Sequence, residues 1–146
     1  MNASSRIPLI VLFGGESAEH DVSCVTAAHV LAAANTEKYD ITTIGISRAG
    51  NWNLVTPTSD ELAAGRLSTN GTPTNLQTIT SLSAQCVVLP LLHGPLGEDG
   101  TVQGMLELGN IAYVGSGVLS SAVCMDKVVS KQILQHHNIE QPAFIA

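Results

Sequence analysis

The side chains able to do chemistry fall in three short stretches, each beside glycine. Gly14-Gly15 is followed at once by Glu16, Glu19, His20 and Asp21. His93-Gly94 is followed by Gly97, Glu98, Asp99 and Gly100. Gly115-Ser116-Gly117 precedes Lys127 and Lys131, whose spacing lets them share one helix face. Glycine lets a backbone approach a ligand closely. A helix start adds free N–H groups and a partial positive charge, which favour anions. A carboxylate such as Glu19 can hold an ammonium. His93 and the turn amides can meet a carboxylate or a developing negative charge, and lysine is a common phosphate ligand. Plain structural uses stand beside these. Glu16 and Asp21 also suit the first turn of a helix. Glu98-Asp99 reads either as a cap or, for Glu98, as a group orienting His93 or a substrate.

These turns need elements to carry them. Ile7 to Phe13 is a continuous apolar run rich in branched residues, the pattern of a strand buried on both faces of a parallel sheet. A helix is expected from about Ala18 to Ala34, with Val22, Val25, Ala28, Leu31 and Ala32 on its apolar face. Tyr39 to Ser47 reads as a second strand, which completes a right-handed βαβ unit. The first glycine turn then lies at the carboxyl end of a strand, the edge where open α/β sheets bind ligands.

Residues 48–81, rich in Gly, Thr, Ser, Asn and Pro, read as a surface insertion of low functional content. Within it Trp52 to Val55 is a possible edge strand and Ser59 to Ala64 a short helix capped by Ser59 or Asp60. Cys86 to Leu92 reads as a third main strand, Thr101 to Leu108 as a helix stopped by Gly109-Asn110, and Ile111 to Val114 as a fourth strand. The pattern is helical from there to His137, as one bent helix or as two, with Asp126 as the cap of the second. Its expected buried stripe is Ala122, Met125, Val129 and Ile133. Pro142 to Ala146 resembles the start of another strand.

Composition removes several function classes. Charged residues are 12% and apolar residues 45% of the 146, so the chain is neither disordered nor a membrane span. Net charge is -6, with no basic patch for nucleic acid. The start, Met1 to Ser5, is polar and gives no signal peptide. Cys24, Cys86 and Cys124 are odd in number and widely spaced, without a zinc motif or disulfide framework. They read as buried free thiols in a reducing cytoplasm. The glycines match neither the dinucleotide fingerprint nor a Walker loop. No acidic residue ends the second strand in the ribose-binding position, so a Rossmann dehydrogenase is excluded.

Three motifs carry a resemblance. Gly14-Gly15-Glu16-Ser17-Ala18-Glu19-His20-Asp21-Val22-Ser23 resembles the opening signature of D-alanine–D-alanine ligases. His93-Gly94 with Gly97-Glu98-Asp99-Gly100-Thr101 and Gln103-Gly104 resembles their second signature. Tyr113, Gly115-Ser116-Gly117, Ser121, Met125-Asp126-Lys127 and Ser130-Lys131 resemble the third. The motifs run in the family's order and leave only residues 48–81 outside, where longer members also carry an insertion.

The resemblance implies a three-layer, Rossmann-like (pre-ATP-grasp) α/β domain with a mostly parallel sheet of about four strands. Residues 1–122 would form this amino-terminal substrate-binding domain, and 123–146 the start of a central ATP-grasp domain. Such cytoplasmic ligases use ATP and magnesium (or manganese) to phosphorylate one D-alanine, which a second D-alanine attacks, for peptidoglycan synthesis. By similarity, Glu19 holds the ammonium of the first D-alanine and is the one catalytic residue expected here. His93 lies by that substrate's carboxylate. Glu98 supports the pocket that Gly14, Gly15 and Gly94 shape, and Lys127 reaches ATP phosphates. No metal ligand is expected in this chain. Family members are usually homodimers, and they are more than twice as long, so this piece is expected to be inactive in ligation alone. Two alternatives stand beside this one: a stand-alone small-molecule-binding module, and a ligase making D-alanyl-D-lactate or D-alanyl-D-serine.

Overall fold

The computed structural model describes residues 6–82 and 86–145. The apolar run becomes β1 (Ile7–Gly14), which is central in a six-stranded sheet of order β4-β3-β2-β1-β5-β6. β2 (Tyr39–Ile46) and β5 (Val87–Pro90) lie parallel to β1 on either side, and β6 (Ala112–Tyr113) lies parallel to β5. This four-stranded parallel part is the expected α/β framework. β3 (Trp52–Val55) and β4 (Thr72–Pro73) extend it antiparallel beyond β2, so the sheet has two strands more than expected.

Helix α1 (His20–Ala33) covers one face, and α3 (Leu76–Leu82) and α4 (Thr101–Leu108) cover the other. Alternation along β1 divides the core. Ile10 and Leu12 pack with Val88, Val102 and Leu106, whereas Phe13 packs with Cys24, Ala27 and Ala28. The covering face of α1 is therefore built of small residues, Ser23, Cys24, Ala27 and Ala28. The stripe expected from hydrophobicity fails in part, since Val22 is 52% exposed and Val25 37%. Small side chains win here because they let the helix backbone sit close to the sheet.

The insertion is more than surface. Val55, Leu67 and Ile79 from it are buried in the two cores. Its short helix α2 (Ser59–Ala64) is capped by Thr58, one residue before the expected Ser59 or Asp60. Thr58 Oγ1 accepts the Glu61 N–H, and the Glu61 carboxylate accepts the Thr58 N–H, a closed capping box. After α4 the left-handed position that stops the helix is taken by Asn110, at φ 51°.

The chain past β6 forms two helices, α5 (Val118–Met125) and α6 (Lys127–His136), broken at Asp126. The Asp126 carboxylate accepts the N–H groups of Val128 and Val129. The stripe expected to be buried is largely exposed: Val129 is 38% and Ile133 42% accessible, and Ala122 is exposed too. α5 and α6 pack on each other, and α5 touches α4. Residues 142–145 form no strand, and Cys124 is exposed, unlike the buried Cys24 and Cys86.

Candidate functional site at the carboxyl edge of the sheet

At the end of β1 the chain needs glycine. Gly14 has φ 89°, and a Cβ there would lie 2.2 Å from the Ile46 carbonyl oxygen. That closeness lets the Gly15 N–H donate to Ile46 O at 2.8 Å, joining the ends of β1 and β2. The Gly15 carbonyl meets His20 Nδ1 at 2.7 Å. A carbonyl only accepts, so Nδ1 carries the proton in this buried ring.

Ser23 joins the second pair of ends. Its Oγ accepts the Gly14 N–H at 2.7 Å and donates to Leu91 O at 2.5 Å. One fully buried hydroxyl thus fixes the carboxyl end of β1 against the segment that leaves β5.

That segment brings His93 and Gly94 under the start of α1. Ser17 Oγ donates to His93 O at 2.7 Å and accepts the Glu19 N–H at 3.1 Å. Glu19 reaches Gly94 so closely that a Cβ on Gly94 would lie 2.6 Å from its Oε2. From the other side, Glu98 Oε2 accepts the Gly94 N–H at 2.9 Å, and Glu98 Oε1 lies 3.9 Å from His93 Nδ1. Two carboxylates therefore flank the His93-Gly94 turn. The loop holding Glu98 is closed by its neighbour. Asp99 accepts the N–H groups of Leu96 and Thr101, each at 2.9 Å, and so supports the left-handed Leu96 at φ 69°. Burial pushes the Asp99 carboxyl up, but hydrogen bonds from the Leu96 and Thr101 N–H groups, with the Thr101 side chain and its own backbone N–H, together leave it below the usual carboxylate range.

Of the residues expected from sequence, Glu19, His93, Gly94 and Glu98 come together. Gly14 and Gly15 line an adjoining cavity of about 180 Å³ with His93, Ile46, Trp52 and Leu92. Lys127 does not join them. It opens α6, exposed, with Nζ donating to Cys124 O at 2.8 Å, and among the described residues no hydrogen bond or ion pair links it to Glu19, His93 or Glu98. A larger cleft of about 600 Å³ lies between Gln135 and Phe144 and holds none of the expected residues. Sequence reasoning missed Thr26, whose Oγ1 is 3.2 Å from His93 Nε2. No sequence signal marks it, because a helical threonine ordinarily bonds its own backbone. Among the described residues, no group of three or more His, Cys, Asp or Glu gathers to hold a metal, and no helix is long and apolar enough to cross a membrane.

A glycine turn at each of two adjacent parallel strand ends, with carboxylates around a histidine, narrows the comparison with known proteins. The family model described as D-ala D-ala ligase N-terminus matches residues 8–116. The chain belongs to the D-alanine–D-alanine ligase family. The D-alanine–D-alanine ligase of Kineococcus radiotolerans is 46% identical over 156 aligned positions, which cover 92% of this chain and 42% of that protein. Among solved structures, VanG D-Ala:D-Ser ligase from Enterococcus faecalis superposes with a TM-score of 0.80 at 35% identity, covering 95% of this chain and 44% of that one. The Bacillus anthracis D-alanine–D-alanine ligase complexed with ATP gives 0.66 at 34% identity, covering 95% and 39%. The ligase-family chain thus spans about 40% of the length of the curated relatives it matches.

Proposed function

We propose that this chain supplies the amino-terminal half of the first D-alanine site of an ATP-dependent ligase that joins two D-alanines through an acyl phosphate. What supports the reading is the flanking of the His93-Gly94 turn by Glu19 and Glu98. A free amino acid presents an ammonium and a carboxylate a few bonds apart. Glu19, exposed at the start of α1, is the partner for the ammonium. His93 and the neighbouring turn suit the carboxylate, where a phosphoryl group would be received. Glu98 accepts the Gly94 N–H and lies 3.9 Å from the His93 ring. The cavity walled by Gly14, Gly15, Ile46 and Leu92 has apolar surface beside these polar groups.

In this reading residues 1–122 form the substrate-binding domain, and 123–146 begin the central ATP-grasp domain. Lys127 then meets ATP phosphates only together with the rest of the enzyme. Magnesium finds no set of three ligands among the described residues, so no step is assigned to it here. The whole enzyme works as a cytoplasmic homodimer in peptidoglycan synthesis. The similarity to VanG favours, as a second reading, a ligase whose second substrate is D-serine.

The test is kinetic and uses the full-length enzyme. Glu19→Ala should raise the KM for the first D-alanine at least tenfold while the KM for ATP changes little. Loss of a charge-assisted contact worth about 1.5–3 kcal/mol has that size. Equal changes in both constants would remove Glu19 from the amino-acid site.

A further inference from the structure

We propose that Thr26 is a positioning residue that sets which ring nitrogen of His93 carries the proton. Helix α1 meets the segment leaving β5 at two successive rungs of one face. Ser23 takes Leu91 O, and Thr26 takes the His93 ring. A threonine hydroxyl has one proton and two lone pairs. Thr26 Oγ1 donates that proton to Val22 O, at 2.9 Å one turn back along the helix. What remains toward His93 Nε2, at 3.2 Å, is a lone pair. Nε2 must then be the N–H, and Nδ1 of the neutral ring is bare.

The charged groups around the ring give this assignment its consequence. Glu98 Oε1 is 3.9 Å from Nδ1, beyond a hydrogen bond, and Glu98 Oε2 is committed to the Gly94 N–H. Glu19 lies against Gly94, and Asp99 is occupied by the Leu96 and Thr101 N–H groups. On the α1 side Asp21 is held by Arg48 and Arg66. The neutral ring therefore offers an acceptor on its Glu98 side. It can accept an N–H from a ligand there, and it can hold a carboxylate at Nδ1 only after a proton arrives at that atom. This last step rests on the reading of His93 as part of the D-alanine site; the tautomer does not.

The tautomer can be read from long-range proton–nitrogen spectra of the nitrogen-15-labelled chain, at alkaline pH where imidazoles are neutral. His93→Gln identifies the ring signals. In the parent chain Nε2 should be protonated and Nδ1 bare. Thr26→Val keeps the side-chain shape but removes the acceptor, and should move the His93 population toward Nδ1–H, facing Glu98. Thr26→Ser should restore the parent pattern. A parent chain with Nδ1 protonated, or a Thr26→Val spectrum unchanged from the parent, overturns the proposal. Should Thr26→Val fail to fold, the parent spectrum alone decides. If Thr26→Val shifts the tautomer yet leaves the D-alanine KM of the full-length ligase unchanged, the positioning role stands and His93 leaves the D-alanine site.

Discussion

Replacing Ser23 with alanine removes one oxygen atom and strands two backbone groups. Ser23 is fully buried, and its hydroxyl is the partner given to both the Gly14 N–H and the Leu91 carbonyl. Each backbone group left unpaired in the interior costs about 1–3 kcal/mol. The better helix propensity of alanine returns roughly 0.5 kcal/mol. The net loss should be about 2–5 kcal/mol, which for a domain of this size lowers Tm by on the order of 10 °C. Urea unfolding followed by far-ultraviolet circular dichroism measures the loss as a lower midpoint at unchanged slope. Hydrogen exchange gives the local readout. The Gly14 amide should be protected in the parent chain and exchange much faster in the variant. A stability loss under about 0.5 kcal/mol, the ordinary range of a neutral surface change, would refute the reasoning. So would a Gly14 amide that stays protected. Either result would mean that the ends of β1 and β5 are held together by something other than this hydroxyl, leaving Ser17 as the link between Glu19 and His93.

Three further outcomes follow from the same geometry. Gly94→Ala places a Cβ at φ 71° and 2.6 Å from Glu19 Oε2; it should cost about 1–2 kcal/mol from the backbone alone and raise the D-alanine KM of the full-length enzyme, read by unfolding and by steady-state kinetics. Thr58→Ala opens the capping box of α2 and should cost about 1 kcal/mol in urea unfolding, with little change at the proposed D-alanine site. Asp99 has a folded-state pKa below its unfolded value, so its stabilisation is present above about pH 4 and lost as pH falls through the lower folded value. Asp99→Asn should therefore remove part of the stability at neutral pH and flatten the acid limb of a stability–pH curve.

Much of this fold was legible because the parallel core announces itself. Ile7 to Phe13 has no polar interruption, and its shortness, branched residues and closing glycines fit a strand covered on both faces. α4 was legible from Val102, Met105 and Leu106 at helical spacing, and it runs over the expected Thr101–Leu108. α1 shows where hydrophobicity misleads. Its buried face is Ser23, Cys24, Ala27 and Ala28, because closeness to the sheet selects small side chains over large ones. The insertion misled in the opposite way. A stretch rich in Thr, Ser and Asn still buries Leu67, in the loop after α2, and Ile79 of α3, because isolated apolar side chains in a polar segment carry no periodicity to read.

The site divides along the same line. Glu19, His93, Gly94 and Glu98 could be singled out because they stand in contiguous motifs beside strand-end glycines, and the resemblance of those motifs weighed against their plain structural uses. Thr26 could not, because a helical threonine normally spends its hydroxyl on its own backbone. Here it does that and still reaches a ring from another strand's loop. Such a role appears only when two elements distant in sequence, α1 and the turn after β5, are set side by side. The exposed stripe of α5 and α6 follows the same logic in reverse. Periodicity in Val129 and Ile133 states that a helix has an apolar face, but the identity of whatever covers that face is a property of tertiary packing. Local pattern therefore marks which residues have a second role, and only the juxtaposition of elements decides what that role is.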